Sequence, residues 1–120
     1  MTVFIINDGG LEAAKKRDFS AAQKFGEIRL VNKRFVFPHE INDEGHMTGL
    51  SFQHISDAAK QFDCWNDYLL PVGDVLQVIQ FVALVATKGI RTPIKTLRYD
   101  RELKDYYVVS LRQFVAIPTL

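Results

Sequence analysis

Residues Asp67 to Tyr99 read DYLLPVG, DVLQVIQFVALVATKG, IRTP and IKTLRY in succession. This order predicts a strand, a helix and a second strand. The first segment is short and apolar. Asp74 stands where a helix N-cap belongs, with a carboxylate suited to the N–H groups that a first turn leaves unpaired. Gly89 closes the helix and Pro93 separates it from the next strand. A βαβ unit of this kind is parallel and almost always right-handed, because a right-twisted strand feeding a right-handed helix packs back onto its sheet only that way. It leaves the carboxyl end of the first strand facing the start of the helix, where open α/β sheets bind their ligands.

Working outward, Thr2 to Ile6 is a β-branched and aromatic run stopped by Asn7, Asp8, Gly9 and Gly10, which is strand followed by turn chemistry. LEAAKKRD after it carries few apolar residues and reads as a solvated excursion. Ser20 with Gln23 matches a capping box, predicting a short helix that Gly26 ends before a strand from Ile28 to Val31. RFVF then pairs back on EIRLV as a hairpin or belongs to a loop running to Gly49; the residues alone leave both open. Phe52, Ile55, Ala59 and Phe62 recur at helical spacing, while Asp57, Lys60 and Gln61 fall elsewhere on the turn, so an amphipathic helix covers one sheet face. LRYDRELKDYYVV predicts a final hairpin with Tyr106 to Leu111 antiparallel to Ile94 to Tyr99. The expected fold is α/β: a compact, Rossmann-like single domain over residues 1–120. Its sheet is mostly parallel with four to five strands and an antiparallel C-terminal edge hairpin.

Composition narrows the function classes. The chain has 120 residues, 48% hydrophobic and 24% charged, enough for a true core. Fifteen basic against 14 acidic residues leave a formal charge of +1, so no global field draws it to nucleic acid or an anionic membrane. Cys64 is the one cysteine, which excludes an internal disulfide and a multi-thiolate zinc site; flanked by Phe62 and Trp65, it reads as a buried thiol. The opening MTVFIIN lacks a basic stretch ahead of its apolar residues, and cytoplasmic location is expected. Val75 to Ala86 is the most apolar window, far short of the roughly 20 residues of a membrane span, and no membrane association is expected.

That same window carries a further expectation. Only Gln77 and Gln80 interrupt its apolar run, so the helix lacks the broad polar face of an ordinary surface helix. A small domain rarely covers a helix on every side by itself. Homo-oligomerisation through the Val75–Ala86 helix and the apolar C-terminal tail FVAIPTL is therefore expected.

Three segments carry a family resemblance: the opening strand ending in Asn7, DFSAAQKFGEI from Asp18 to Ile28, and DYLLPVG from Asp67 to Gly73, followed by the closing hairpin. The pattern of Asp-aromatic-Ser leading to Phe-Gly-Glu, then Asp-Tyr-hydrophobic-Leu ending in Gly, resembles small, mostly uncharacterised α/β proteins of tailed bacteriophages. The chain departs from that group in the longer DGGLEAAKKR segment and the longer Asn32 to Gly49 loop. The resemblance implies a phage or prophage source and no assigned reaction.

The carboxyl ends of the first and third strands bring Asn7 and Asp8 near Gly73 and Asp74, and the helix starting at Ser20 points its N-terminus there. Free N–H groups and a glycine that admits a ligand to the backbone suit a small anionic, nucleotide-type ligand, with Arg91 or Arg98 of a neighbour completing the pocket. Asp74 repels phosphate and fits a ribose hydroxyl or amine better. Ser20 and Asp74 are equally explained as plain caps, and Asn7 and the glycines as turn residues. No GxGxxG, Walker loop or GxSxG elbow occurs, no cofactor is implied, and His39, His46 and His54 fit no standard metal spacing. Lys88, Arg91, Lys95, Arg98 and Arg101 form no single stripe, because alternate strand residues point to opposite faces. They read as a solvated edge that resists strand addition. Phosphate or nucleic-acid contact by Arg91 and Arg98 is the sharper reading.

The function expected from these features is that of a non-enzymatic phage or prophage accessory protein binding a small anionic, nucleotide-type ligand, with sequestration against a host defence as its expected use. The alternatives are an antagonist that docks on a host protein, and a nucleotide-processing enzyme with Asp74 or Asp8 as general base.

Overall fold

The computed structural model describes residues 1–7, 19–32, 41–89 and 93–112. Five strands form one sheet: β1 (Thr2–Ile5), β2 (Glu27–Leu30), β3 (Tyr68–Leu70), β4 (Pro93–Asp100) and β5 (Asp105–Arg112), in the order β2-β1-β3-β4-β5. A 3-10 helix (Ser20–Phe25) joins β1 to β2, α1 (Gly49–Gln61) precedes β3, and α2 (Val75–Ala86) joins β3 to β4. β1 pairs in parallel with β2 and β3, and β3 with β4; β5 runs antiparallel to β4. This is the expected α/β fold. The hairpin register is the one read from sequence, with Ile94 opposite Leu111 and Tyr99 opposite Tyr106.

Two cores sit on the two faces. Strand alternation sends Phe4, Ile6, Leu69 and Ile94 to one side, where they meet Ile55, Ala59, Phe62, Phe81 and Val85 of the helix layer. Phe4, Phe62 and Phe81 pack ring on ring at its centre, with centroids 5.2 to 6.1 Å apart. Val3, Ile5, Leu70 and Leu97 face the other way, onto Ala22 and Phe25 of the 3-10 helix.

Several local expectations are corrected. Phe19, not Ser20, occupies the N-cap of the first helix and makes no side-chain capping bond; the segment is a six-residue 3-10 helix rather than a capping-box α-helix. Helix α2 ends at Ala86, where Thr87 caps it: its hydroxyl donates to Leu84 O at 2.7 Å, which makes a left-handed residue at Gly89 unnecessary. Cys64 is buried as expected, and burial raises its thiol pKa, but Trp65 beside it points outward, 69% exposed. β4 lies between β3 and β5 and pairs with β3 at Thr96, so Lys95 is not on a sheet edge. The RFVF segment, the LEAAKKRD excursion and the FVAIPTL tail lie outside the described residues.

Candidate functional site

The strand order reverses beside β1: the chain leaves it for β2 on one side and returns to β3 on the other. In doubly wound sheets the carboxyl ends flanking such a switch point frame the ligand crevice. Here those ends are Asn7 after β1, Asn32 just beyond β2, and Gly73 and Asp74 after β3.

The backbone holds these segments tightly. Val31 and Asn32 donate to Ile5 O and Ile6 O at 2.8 and 2.9 Å, and Asn7 N donates to Val72 O at 3.1 Å. Asn7, Asn32 and Gln77 are all at most 2% exposed. Buried amides must find partners, and these find one another. Asn7 Nδ2 donates to Asn32 O at 3.1 Å, and Asn32 Nδ2 to Gln77 Oε1 at 2.8 Å. Gln77 Nε2 reaches Asp74 Oδ2 at 3.4 Å, and Asp74 Oδ1 accepts from Leu76 N at 3.0 Å as the N-cap of α2. The chain of contacts ties all three strand ends to the first turn of α2. Among the described residues, no buried side-chain nitrogen or oxygen lacks a hydrogen-bond partner.

Gly73 adopts φ +111, and a Cβ there would lie 2.3 Å from Asn7 Cβ and 2.4 Å from Asn7 O. The space a side chain would take is filled by Asn7. The close approach that the glycine permits is thus between two segments of the chain itself.

The structure brings Asn7, Gly73 and Asp74 together. Ser20 opens the 3-10 helix in the layer on the opposite face, and Arg98 is exposed on β4, two strands from β1. Asp8 and Arg91 lie outside the described residues. Asn32 and Gln77 were not singled out as site residues from the sequence. Two signals pointed to them: the first two strands each run into an asparagine, in FIIN and RLVN, and Gln77 stands three residues after the Asp74 cap, one helical turn away.

Two of the basic residues, Lys88 and Lys95, serve structural ends. Lys88 Nζ donates to Phe62 O at 2.6 Å and Lys60 O at 3.2 Å, satisfying carbonyls at the end of α1. Lys95 Nζ donates to Trp65 O at 2.7 Å and lies 4.6 Å from the Tyr68 ring centre. A small groove of about 180 Å³ beside Lys88 is lined by Ser56, Ala59, Lys60, Leu84 and Thr87. His46 and His54 are exposed, and no group of three metal-ligating side chains occurs among the described residues.

Helix α2 inverts the usual amphipathic arrangement. Its buried side includes Gln77 with Phe81 and Val85, whereas Val75, Leu76 and Ile79 are 67%, 64% and 58% exposed. The polar residue is inside because Asn32 and Asp74 are there to bond it, and the outward face carries no charge.

A family model described as Phage Pam3 gp32-like protein matches residues 1–113. The chain belongs to this family. A phage-type protein was expected from the Asn7, Asp18–Ile28 and Asp67–Gly73 segments, and the family match agrees at that level. No curated protein and no solved structure matches the chain. No helix among the described residues is long and apolar enough to cross a membrane.

Proposed function

We propose that this Phage Pam3 gp32-like chain is a non-enzymatic phage accessory protein that acts in the host cytoplasm by binding, as a homo-oligomer, rather than by catalysis. The observation that carries this reading is the outward face of α2, where Val75, Leu76 and Ile79 are exposed and uncharged while Gln77 is turned inside. Val75, Leu76 and Ile79 keep more than half of their surface in water, which forgoes roughly 1–2 kcal/mol each relative to full burial, a drive toward contact. The polar groups at the strand ends bond one another, in keeping with a structural tie there rather than a catalytic centre.

A second reading places a small nucleotide-type anion at the carboxyl edge, beside Asn7, Gly73 and Asp74. The reversal of strand order beside β1 favours it, because that is where doubly wound sheets bind ligands. Sequestration of such a ligand would suit a counter-defence role.

Native mass spectrometry of the purified protein, set against its denatured mass, tests both. A multimer at an integral multiple of the chain mass is the expected result. A multimer with added nonprotein mass would bring the ligand reading forward, and a bare monomer would overturn the oligomer.

A further inference from the structure

We infer that two copies of the chain pair through the outward face of α2, with the helices antiparallel about a two-fold axis level with Phe81. This rests on the oligomeric reading above and names its interface. On a helix of 3.6 residues per turn, positions 75, 76, 79, 83 and 86 share one arc of about 100°. The two halves of that face differ in relief. Val75, Leu76 and Ile79 stand out toward the N-terminal end, while Ala83 and Ala86 leave the C-terminal end recessed.

That relief selects one orientation. Two parallel helices would oppose large side chains to large ones at one end and leave alanine facing alanine at the other. Reversed about Phe81, Ile79 meets the partner's Ala83 and Leu76 meets the partner's Ala86, so each protrusion enters a recess. Charge agrees with shape. No ionisable residue lies between Asp74 and Lys88, so nothing charged is desolvated along the contact. The antiparallel arrangement sets the end bearing Asp74 beside the end bearing the partner's Lys88, and it opposes the two helix dipoles. The self-complementary pattern makes a second copy the occupant in preference to an unrelated partner. One helix face buries less than the roughly 800 Å² per partner of standard complexes, so dimerisation is concentration-dependent.

Sedimentation equilibrium of the full chain over a wide concentration range, with three variants, tests the pairing. The native chain passes from monomer to dimer. Ile79→Asp abolishes the dimer while leaving the circular dichroism native, because this position is 58% exposed in the monomer. Ala83→Ile sets isoleucine against isoleucine and weakens association by about tenfold or more. The double variant Ile79→Ala/Ala83→Ile restores alanine opposite isoleucine and returns the dimer to within about threefold of native, a difference of under 1 kcal/mol. A dimer that survives Ile79→Asp would overturn the α2 interface and leave the oligomeric reading standing. Failure of the double variant to recover would overturn the antiparallel register. A chain monomeric at every concentration would overturn both readings.

Discussion

Gly73 and Asn7 are packed so closely that the glycine's missing Cβ would overlap the asparagine's, 2.3 Å away. Because Gly73 also holds φ +111, a side chain there meets backbone strain as well as collision. Gly73→Ala should therefore destabilise the fold by at least about 2 kcal/mol, the scale of such strain combined with overpacking. A urea melt checks this. A change within error would mean that the β1 and β3 ends separate easily.

Gln77 is the polar centre of an apolar helix, and a hydrophobicity scale would favour its replacement. The structure predicts the reverse. Gln77→Leu removes the acceptor of Asn32 Nδ2 and the donor to Asp74, and should lower stability by about 1–3 kcal/mol despite the added apolar surface. Thermal unfolding of this variant beside Ile79→Leu, on the exposed face, makes the comparison; the exposed substitution should stay within about 0.5 kcal/mol.

Asp67 fastens the start of the sheet. Its carboxylate accepts from Thr2 N at 2.9 Å and from Asp63 N at 2.8 Å, while the residue is only 8% exposed. Asp67→Ala leaves both donors without this acceptor and should cost about 2–3 kcal/mol; Asp67→Asn, which keeps one carbonyl oxygen, should cost less. Hydrogen exchange at the Thr2 amide should quicken in the alanine variant ahead of the rest of β1.

Acid should weaken the fold through two exposed carboxylates. The Asn66 side-chain amide and then the Trp65 backbone N–H hold Asp63 below its ordinary value of 3.8, and Lys24 and the Tyr106 N–H do the same for Asp105. The folded state thus favours the ionised form. That contribution is fully present above 3.8 and is lost as pH falls below it through the depressed values. Urea midpoints measured from neutrality into acid should drop in that range, and Asp105→Asn should flatten the drop. An unchanged slope would mean that the Lys24 to Asp105 pair across the 3-10 helix and β5 carries no stability.

Much of this architecture was legible because it follows from local chemistry. Asp74 before a largely apolar run specified both the cap and the start of α2, and β-branched runs bounded by turn residues specified the strands. The hairpin register followed from alternation across Ile94 to Tyr99 and Tyr106 to Leu111. The legibility failed where two local signals compete. Ser20 and Gln23 spell a capping box, but six residues between β1 and β2 close into a 3-10 helix with Phe19 at the cap, half-buried against the core on that face of the sheet. Gly89 resembles a helix stop, but the Thr87 hydroxyl reaches Leu84 O first.

By itself, then, the sequence determined the elements, their order and the family pattern, since each depends on residues within a few positions of one another. Tertiary structure alone decided what the polar residues do. Asn7, Asn32, Asp74 and Gln77 are spread over 71 positions of the chain, and only the assembled sheet places their amides and carboxylate within hydrogen-bonding reach. It also decided which side of α2 faces water. A helix apolar nearly all round has no preferred inner face until a buried partner, here Asn32, draws Gln77 inward and turns Val75, Leu76 and Ile79 out.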